Sequence, residues 1–155
     1  MSKSLKRVRA ALADAGLAVD IRETDNARTA LDAANAVGCT VDQIAKSIIF
    51  RGEQTGEAIL FLTAGGNRVC AHKAAQAAGE PLGKADADLV RTQTGFAIGG
   101  VAPVGHLSAI RAFLDPRLAE FDTIWAAAGT PRHVFSISPD ALLKLTGAIS
   151  AEFTE

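Results

Sequence analysis

The chain has 155 residues, 48% of them hydrophobic, enough to bury a sizeable core in a single domain spanning residues 1–155. Its 16 basic and 17 acidic residues leave a net charge of −1, which excludes a global field drawing the protein onto nucleic acid or an anionic membrane, so any RNA contact must be local. No uncharged apolar run approaches the roughly 18 residues of a membrane span, and no apolar stretch follows the charged start Met1-Ser2-Lys3-Ser4-Leu5-Lys6-Arg7. A soluble, unprocessed cytoplasmic protein without membrane contact is expected.

Leu5, Val8, Leu12 and Ala15 recur at helical spacing, with Ser4 as N-cap and Gly16 as stop. Leu17 to Glu23 alternates as a strand, and Thr24-Asp25-Asn26 turns the chain into an alanine-rich helix from Ala30 to Val37, ended by Gly38. After one more helical turn at Val41 to Ile44, two apolar runs, Lys46 to Arg51 and Ala58 to Thr63, read as a hairpin. Ala71 to Ala78 is a helix closed by Gly79, and Asp86 caps another through Arg91. Ile110 to Leu114 is a strand and Asp115-Pro116 begins a turn or short helix. Thr123 to Ala126 and His133 to Ile137 are late strands, and Ser138-Pro139 opens a last helix through Leu145. Several connections are too short for parallel crossovers, so the expected fold is α+β, with a mixed, mostly antiparallel, barrel-like sheet surrounded by helices.

Two segments carry chemistry. Lys46 opens the apolar run Ser47-Ile48-Ile49-Phe50, placing a cation at the mouth of a buried strand. Gly99-Gly100-Val101-Ala102-Pro103-Val104-Gly105-His106 is too glycine-rich for an ordinary strand; close glycines let backbone amides approach a ligand, and proline stiffens the loop that presents them. Taken alone, the lysine is an ordinary snorkelling side chain and the glycine segment a bulged strand and turn.

Their order and spacing change that. With Thr29-Ala30-Leu31-Asp32-Ala33-Ala34 ahead of Lys46, Thr94-Gly95-Phe96-Ala97-Ile98 leading into the glycine loop, and Ala128-Gly129-Thr130-Pro131 followed by Val134-Phe135-Ser136-Ile137-Ser138-Pro139, the chain resembles the YbaK/prolyl-tRNA synthetase-associated domain family along nearly its whole length. The resemblance implies a deacylase that hydrolyses mischarged aminoacyl-tRNA. It also implies that Lys46 matches the family's functional lysine, that Gly99 to Pro103 matches its GxxxP loop, and that His133 matches a functional histidine of the synthetase's insertion domain. The alanine-specific free-standing branch has asparagine after its lysine; Ser47 stands there in this chain, which puts alanine specificity in question.

Ester hydrolysis needs donors aimed at the oxygen where negative charge develops, and removing one good donor costs about 2.7–4 kcal/mol of barrier reduction. The amides of Gly99, Gly100, Val101 and Ala102 are the candidate donors, with Lys46 as a point charge on the terminal-adenosine phosphate or the ester carbonyl, Ser47 and Pro103 completing the substrate site, and His133 orienting water or the substrate's amino group. A structural role for His133 stands beside the functional one. His72 and His106 read as surface or loop histidines, and Cys39 and Cys70 as reduced core thiols.

The chain has no GK[ST] phosphate loop, no GxGxxG, no HExxH and no GxSxG, so no cofactor and no metal is expected. Expected partners are the 3′ end and acceptor stem of an aminoacylated tRNA, contacted by Lys3, Lys6, Arg7 and Arg9 with Arg51, Arg68 and Lys73 as further candidates, and an aminoacyl-tRNA synthetase. The competing readings are a non-catalytic module that holds a tRNA end or nucleotide, and a hydrolase of some other small acyl ester.

Overall fold

The seven residues of β3 (Ala58–Ala64) are buried without exception, so both faces of the sheet at its centre must be covered. The computed structural model, which describes residues 2–25 and 27–155, shows how. Leu60, Leu62 and Ala64 face the larger core, while Ile59 and Phe61 point the other way, into a second core where the Phe61 ring stacks on Phe113 and meets Phe153 edge-on.

Along the chain, α1 (Lys3–Asp14), β1 (Ile21–Glu23) and α2 (Ala30–Val37) precede the central hairpin of β2 (Ile44–Gly52) and β3. Then follow α3 (Ala71–Ala78), β4 (Leu82–Lys84), α4 (Ala87–Thr94), β5 (Arg111–Leu114), β6 (Ile124–Ala127), β7 (His133–Ile137), α5 (Pro139–Thr146) and β8 (Ile149–Ser150). Short 3-10 helices occupy Val41–Gln43 and Pro116–Glu120. The sheet runs β1-β7-β6-β2-β3-β5-β8, with β4 paired to β2 beyond this path. β1/β7, β6/β7, β2/β3 and β2/β4 are antiparallel, whereas β2/β6, β3/β5 and β5/β8 are parallel. This is the expected single-domain α+β fold with a mixed sheet, in which β5 and the β6–β7 hairpin join the central hairpin by parallel pairing, β5 with β3 and β6 with β2.

Local signals place most boundaries. Thr29, Asp86 and Ser138 each accept a backbone amide at the start of their helices, and Gly38, Gly79 and Gly147 end theirs. The first helix begins two residues earlier than expected, because the Ser2 hydroxyl, not that of Ser4, accepts the Leu5 amide at 3.0 Å. The strand expected from Leu17 shortens to Ile21–Glu23, the stretch that pairs with β7. Asn26, in the expected turn before α2, lies outside the described residues. Among the described residues no helix is long and apolar enough to cross a membrane.

Glu80 is the most heavily bonded of the buried charges. Its carboxylate accepts the amides of Gln54 and Thr55 and the Thr55 hydroxyl, and pairs with Arg111 at 2.6 Å, tying the β2–β3 turn to the segment before β4. The Thr55 amide foremost, then the Gln54 amide, the Thr55 hydroxyl and Arg111, outweigh burial and hold this carboxyl below the ordinary glutamate range. A depressed carboxylate pKa adds stability above the unfolded-state value that is lost as pH falls through the folded one. Glu80→Gln is therefore expected to lower stability at neutral pH and to flatten its acid dependence, which urea denaturation from pH 7 down to pH 3 will read out.

Candidate functional site

Strand β2 pairs with β6 through only two residues, Ile44 with Trp125 and Ala45 with Ala126, before the parallel strands part. α2 packs over this junction through Ala33 and Ala34, against Ile44 and Trp125. Where the strands diverge, a cleft of about 170 Å³ opens, with Lys46 and Ser47 from β2 on one side and Ala127, His133 and Val134 from β6 and β7 on another. Gly99, Val101, Thr130 and Pro131 complete its wall, and Thr24, Arg28 and Thr29 line it from the segment entering α2. Trp125 is buried and also forms part of the cleft wall.

Lys46 is half-buried, and its Nζ donates to the carbonyl of Asn67 at 2.6 Å. That carbonyl belongs to a turn fixed from two sides. Asp115 is 2% exposed and accepts the Ala64 amide at 3.1 Å and the Asn67 side-chain amide at 2.9 Å, while Asp42 accepts the Gly66 amide at 2.9 Å and pairs with Arg117. Burial, assisted by Arg68, lowers the Lys46 pKa from the ordinary lysine value, and Asp115 and Asp42 work against that shift. The ammonium spends one of its three N–H donors on Asn67 and keeps two for a ligand in the cleft.

One part of the glycine loop lines the cleft and the other packs against the protein. Gly99 is exposed at φ +93°, a left-handed conformation that favours glycine, and lines the cleft with Val101; neither amide has a hydrogen-bond partner among the described residues. The Gly100 amide instead donates to Ala97 at 3.0 Å, closing a turn. A Cβ on Gly100 would lie 2.9 Å from the Thr130 backbone, so the residue has to be glycine for the loop to seat against Thr130 and Pro131. Ala102 is fully buried and Pro103 lines a separate pocket with Gly105 and His106. Of the four expected donors, Gly99 and Val101 reach the cleft wall, whereas Gly100 and Ala102 shape the loop behind it together with Pro103, which was expected in the substrate site.

Arg7 and His106 hold that loop. The Arg7 guanidinium donates to the carbonyls of Gly105 at 3.1 Å and Gly95 at 2.8 Å and lies 4.6 Å over the Phe96 ring, which withdraws it from the expected RNA-facing set. His106, expected as a surface or loop histidine, lies in the loop, is half-buried and donates through Nε2 to the Ala102 carbonyl at 2.7 Å. Burial foremost, with the nearby Arg7 charge, lowers its pKa against the pull of that carbonyl, keeping the ring neutral.

His133 begins β7 opposite Glu23 of β1. Its Nδ1 lies 2.7 Å from the Thr130 hydroxyl, whose oxygen already accepts the Arg132 amide at 3.1 Å. Its Nε2 lies 3.9 Å from the Glu23 carboxylate. Ser47 Oγ is buried without a partner among the described residues. Both cysteines are free and half-buried, and neither lines the cleft; burial raises the Cys39 pKa. Thr130, Asp115 and Asn67 are the participants that sequence reasoning left without a role. The signal for Asp115 was its place before Pro116, read there as a turn or helix start.

Comparison with known proteins agrees with this architecture. A solved structure described as a provisional trans-editing enzyme for prolyl-tRNA synthetase superposes with a TM-score of 0.92 at 46% identity, covering 100% of this chain and 99% of its own. The protein YwhH of Bacillus subtilis (strain 168), of uncharacterized function, is 31% identical over 140 residues, 90% of this chain and 88% of the relative. EbsC of Enterococcus faecalis (strain ATCC 700802 / V583), provisionally named a Cys-tRNA(Pro)/Cys-tRNA(Cys) deacylase, is 26% identical over 125 residues, 78% of this chain and 74% of its own. The model of the aminoacyl-tRNA editing domain matches residues 24–145, which hold the whole cleft from Thr24 to Val134, and the chain therefore belongs to the aminoacyl-tRNA editing domain family.

Proposed function

We propose that this protein is a trans-editing deacylase that hydrolyses the ester of a misacylated tRNA carrying a small amino acid. The observation that carries the reading is one cleft lined both by the half-buried Lys46 and by Gly99 and Val101, whose amides have no hydrogen-bond partner among the described residues. In this reading the aminoacyl carbonyl lies towards those amides, which take the negative charge as water attacks the carbonyl carbon. The carbon–oxygen bond to the ribose then breaks, and the ribose oxygen leaves with a proton derived from the attacking water. In this reading Lys46 acts as a fixed charge on the substrate rather than as a base, its Nζ positioned by the Asn67 carbonyl. His133, held by Thr130, orients water or the substrate's amino group.

The enclosed volume, about 170 Å³, suits a small aminoacyl group with the ribose edge and leaves the rest of the tRNA outside. Ser47 supports a polar contact there, because a buried hydroxyl without a partner costs about 1–3 kcal/mol unless a bound group satisfies it. The likeness to a trans-editing structure and to a Cys-tRNA deacylase supports testing Ala, Ser, Thr, Cys and Pro esters, and a synthetase as docking partner.

Deacylation of a panel of tRNAs charged with these amino acids is expected to show cleavage above background, with Lys46→Ala lowering kcat/KM about 100-fold or more. Equal cleavage by the variant overturns the catalytic assignment, and binding without turnover marks the non-catalytic tRNA-end module instead. Because Lys46 must stay charged, the rate is expected to fall as pH rises through its lowered pKa. Asp115→Asn removes a carboxylate that raises this pKa, so the alkaline limb of its pH–rate profile is expected to move to lower pH than in the wild type. An unmoved limb would show that Lys46 charge does not set the rate.

A further inference from the structure

A second concavity, of about 400 Å³, adjoins the cleft and shares its wall at Thr130, Pro131 and His133. Its lining is mainly apolar, with the exposed Pro131 beside the edge of the buried Leu5 of α1, and two exposed arginines, Arg9 from α1 and Arg132 from the loop before β7, also line it. Neither guanidinium has an ion-pair partner among the described residues, although five other arginines or histidines do. Two like charges left beside one apolar groove complement an anion attached to a flat apolar body.

We propose that this groove binds the nucleotide preceding the terminal adenosine of the tRNA, its base against Leu5 and Pro131 and its linking phosphate between Arg9 and Arg132. The inference rests on the deacylase reading for its direction, since the ester lies beside His133 on the shared wall and the single strand continues from there. It goes beyond that reading by giving the groove an occupant. Arginine suits the phosphate through paired N–H donors. The Thr130 hydroxyl that borders the groove is engaged by the Arg132 amide and by His133. Contact through the faces of a base tolerates base identity, which suits a 3′ end.

The test uses the full chain and three non-hydrolysable probes in which an amide replaces the ester: 3′-alanylamino-adenosine, its 5′-phosphate, and the same group on the dinucleotide CpA. Calorimetry is expected to show tighter binding at each extension, by about tenfold or more in Kd from adenosine to CpA, with part of that gain at the phosphate and part at the added base. In Arg9→Ala/Arg132→Ala the phosphate gain is expected to disappear while the adenosine probe binds as in the wild type, and the wild-type gain is expected to shrink with added salt. Equal Kd for all three probes overturns the proposal, as does a gain complete at the phosphate or an equal loss for the adenosine probe in the double variant. Because binding is read without turnover, a protein that fails to cleave esters still decides the groove, and a hydrolase without the CpA gain loses only the groove.

Discussion

The contact between Lys46 Nζ and the Asn67 carbonyl, 2.6 Å long, is the constraint on which the site is built. A lysine at this depth bears a desolvation cost that favours the neutral amine, and one fixed carbonyl with two nearby carboxylates offsets it. Asp115 and Asp42 do not touch the ammonium. Besides acting on it through their charge, they anchor Ala64, Gly66 and Asn67, so that the turn after β3 holds its carbonyl in place while β2 holds the lysine. The site thereby inherits the rigidity of the hairpin, whose β3 is buried on both faces.

The opposite wall is built by different means. The glycine loop lacks regular structure, and α1 immobilises it: Arg7 bonds carbonyls at both ends, Phe96 is buried beneath the guanidinium, and His106 takes the Ala102 carbonyl. Gly100 allows the loop to lie against Thr130, which in turn orients His133. One chain of contacts therefore links α1, the glycine loop and β7, and a substitution at Arg7 would disturb amide geometry without touching a ligand. Preorganised donors gain their catalytic effect from this kind of support.

How far the sequence reveals this depends on whether the determinant is local. Ala30–Val37, Ala71–Ala78 and His133–Ile137 carry their own caps, stops or alternation and are legible to the residue. β4 and β8, of three and two residues, exist only through pairing with β2 and β5 and leave no periodicity to read. Lys46 and the glycine segment stand out by composition and spacing, but which residues of the loop line the cleft depends on a turn at Ala97–Gly100 that composition does not encode. Arg7 looks like any surface cation in sequence, because its partners lie 88 and 98 residues away. Asp115 is hidden for the same reason, 48 residues from Asn67.

The central claim is that a substrate carbonyl meets the amides of Gly99 and Val101 while Lys46 holds the same ligand from across the cleft. Titration of ¹⁵N-labelled protein with 3′-alanylamino-adenosine tests it most directly, read by the backbone amide and lysine ammonium resonances. The account predicts saturable shifts at Gly99, Val101 and the Lys46 ammonium, with Gly105 and His106 behind the loop little changed. Shifts centred on the pocket beside Pro103 and His106, with the Lys46 ammonium unmoved, would contradict it.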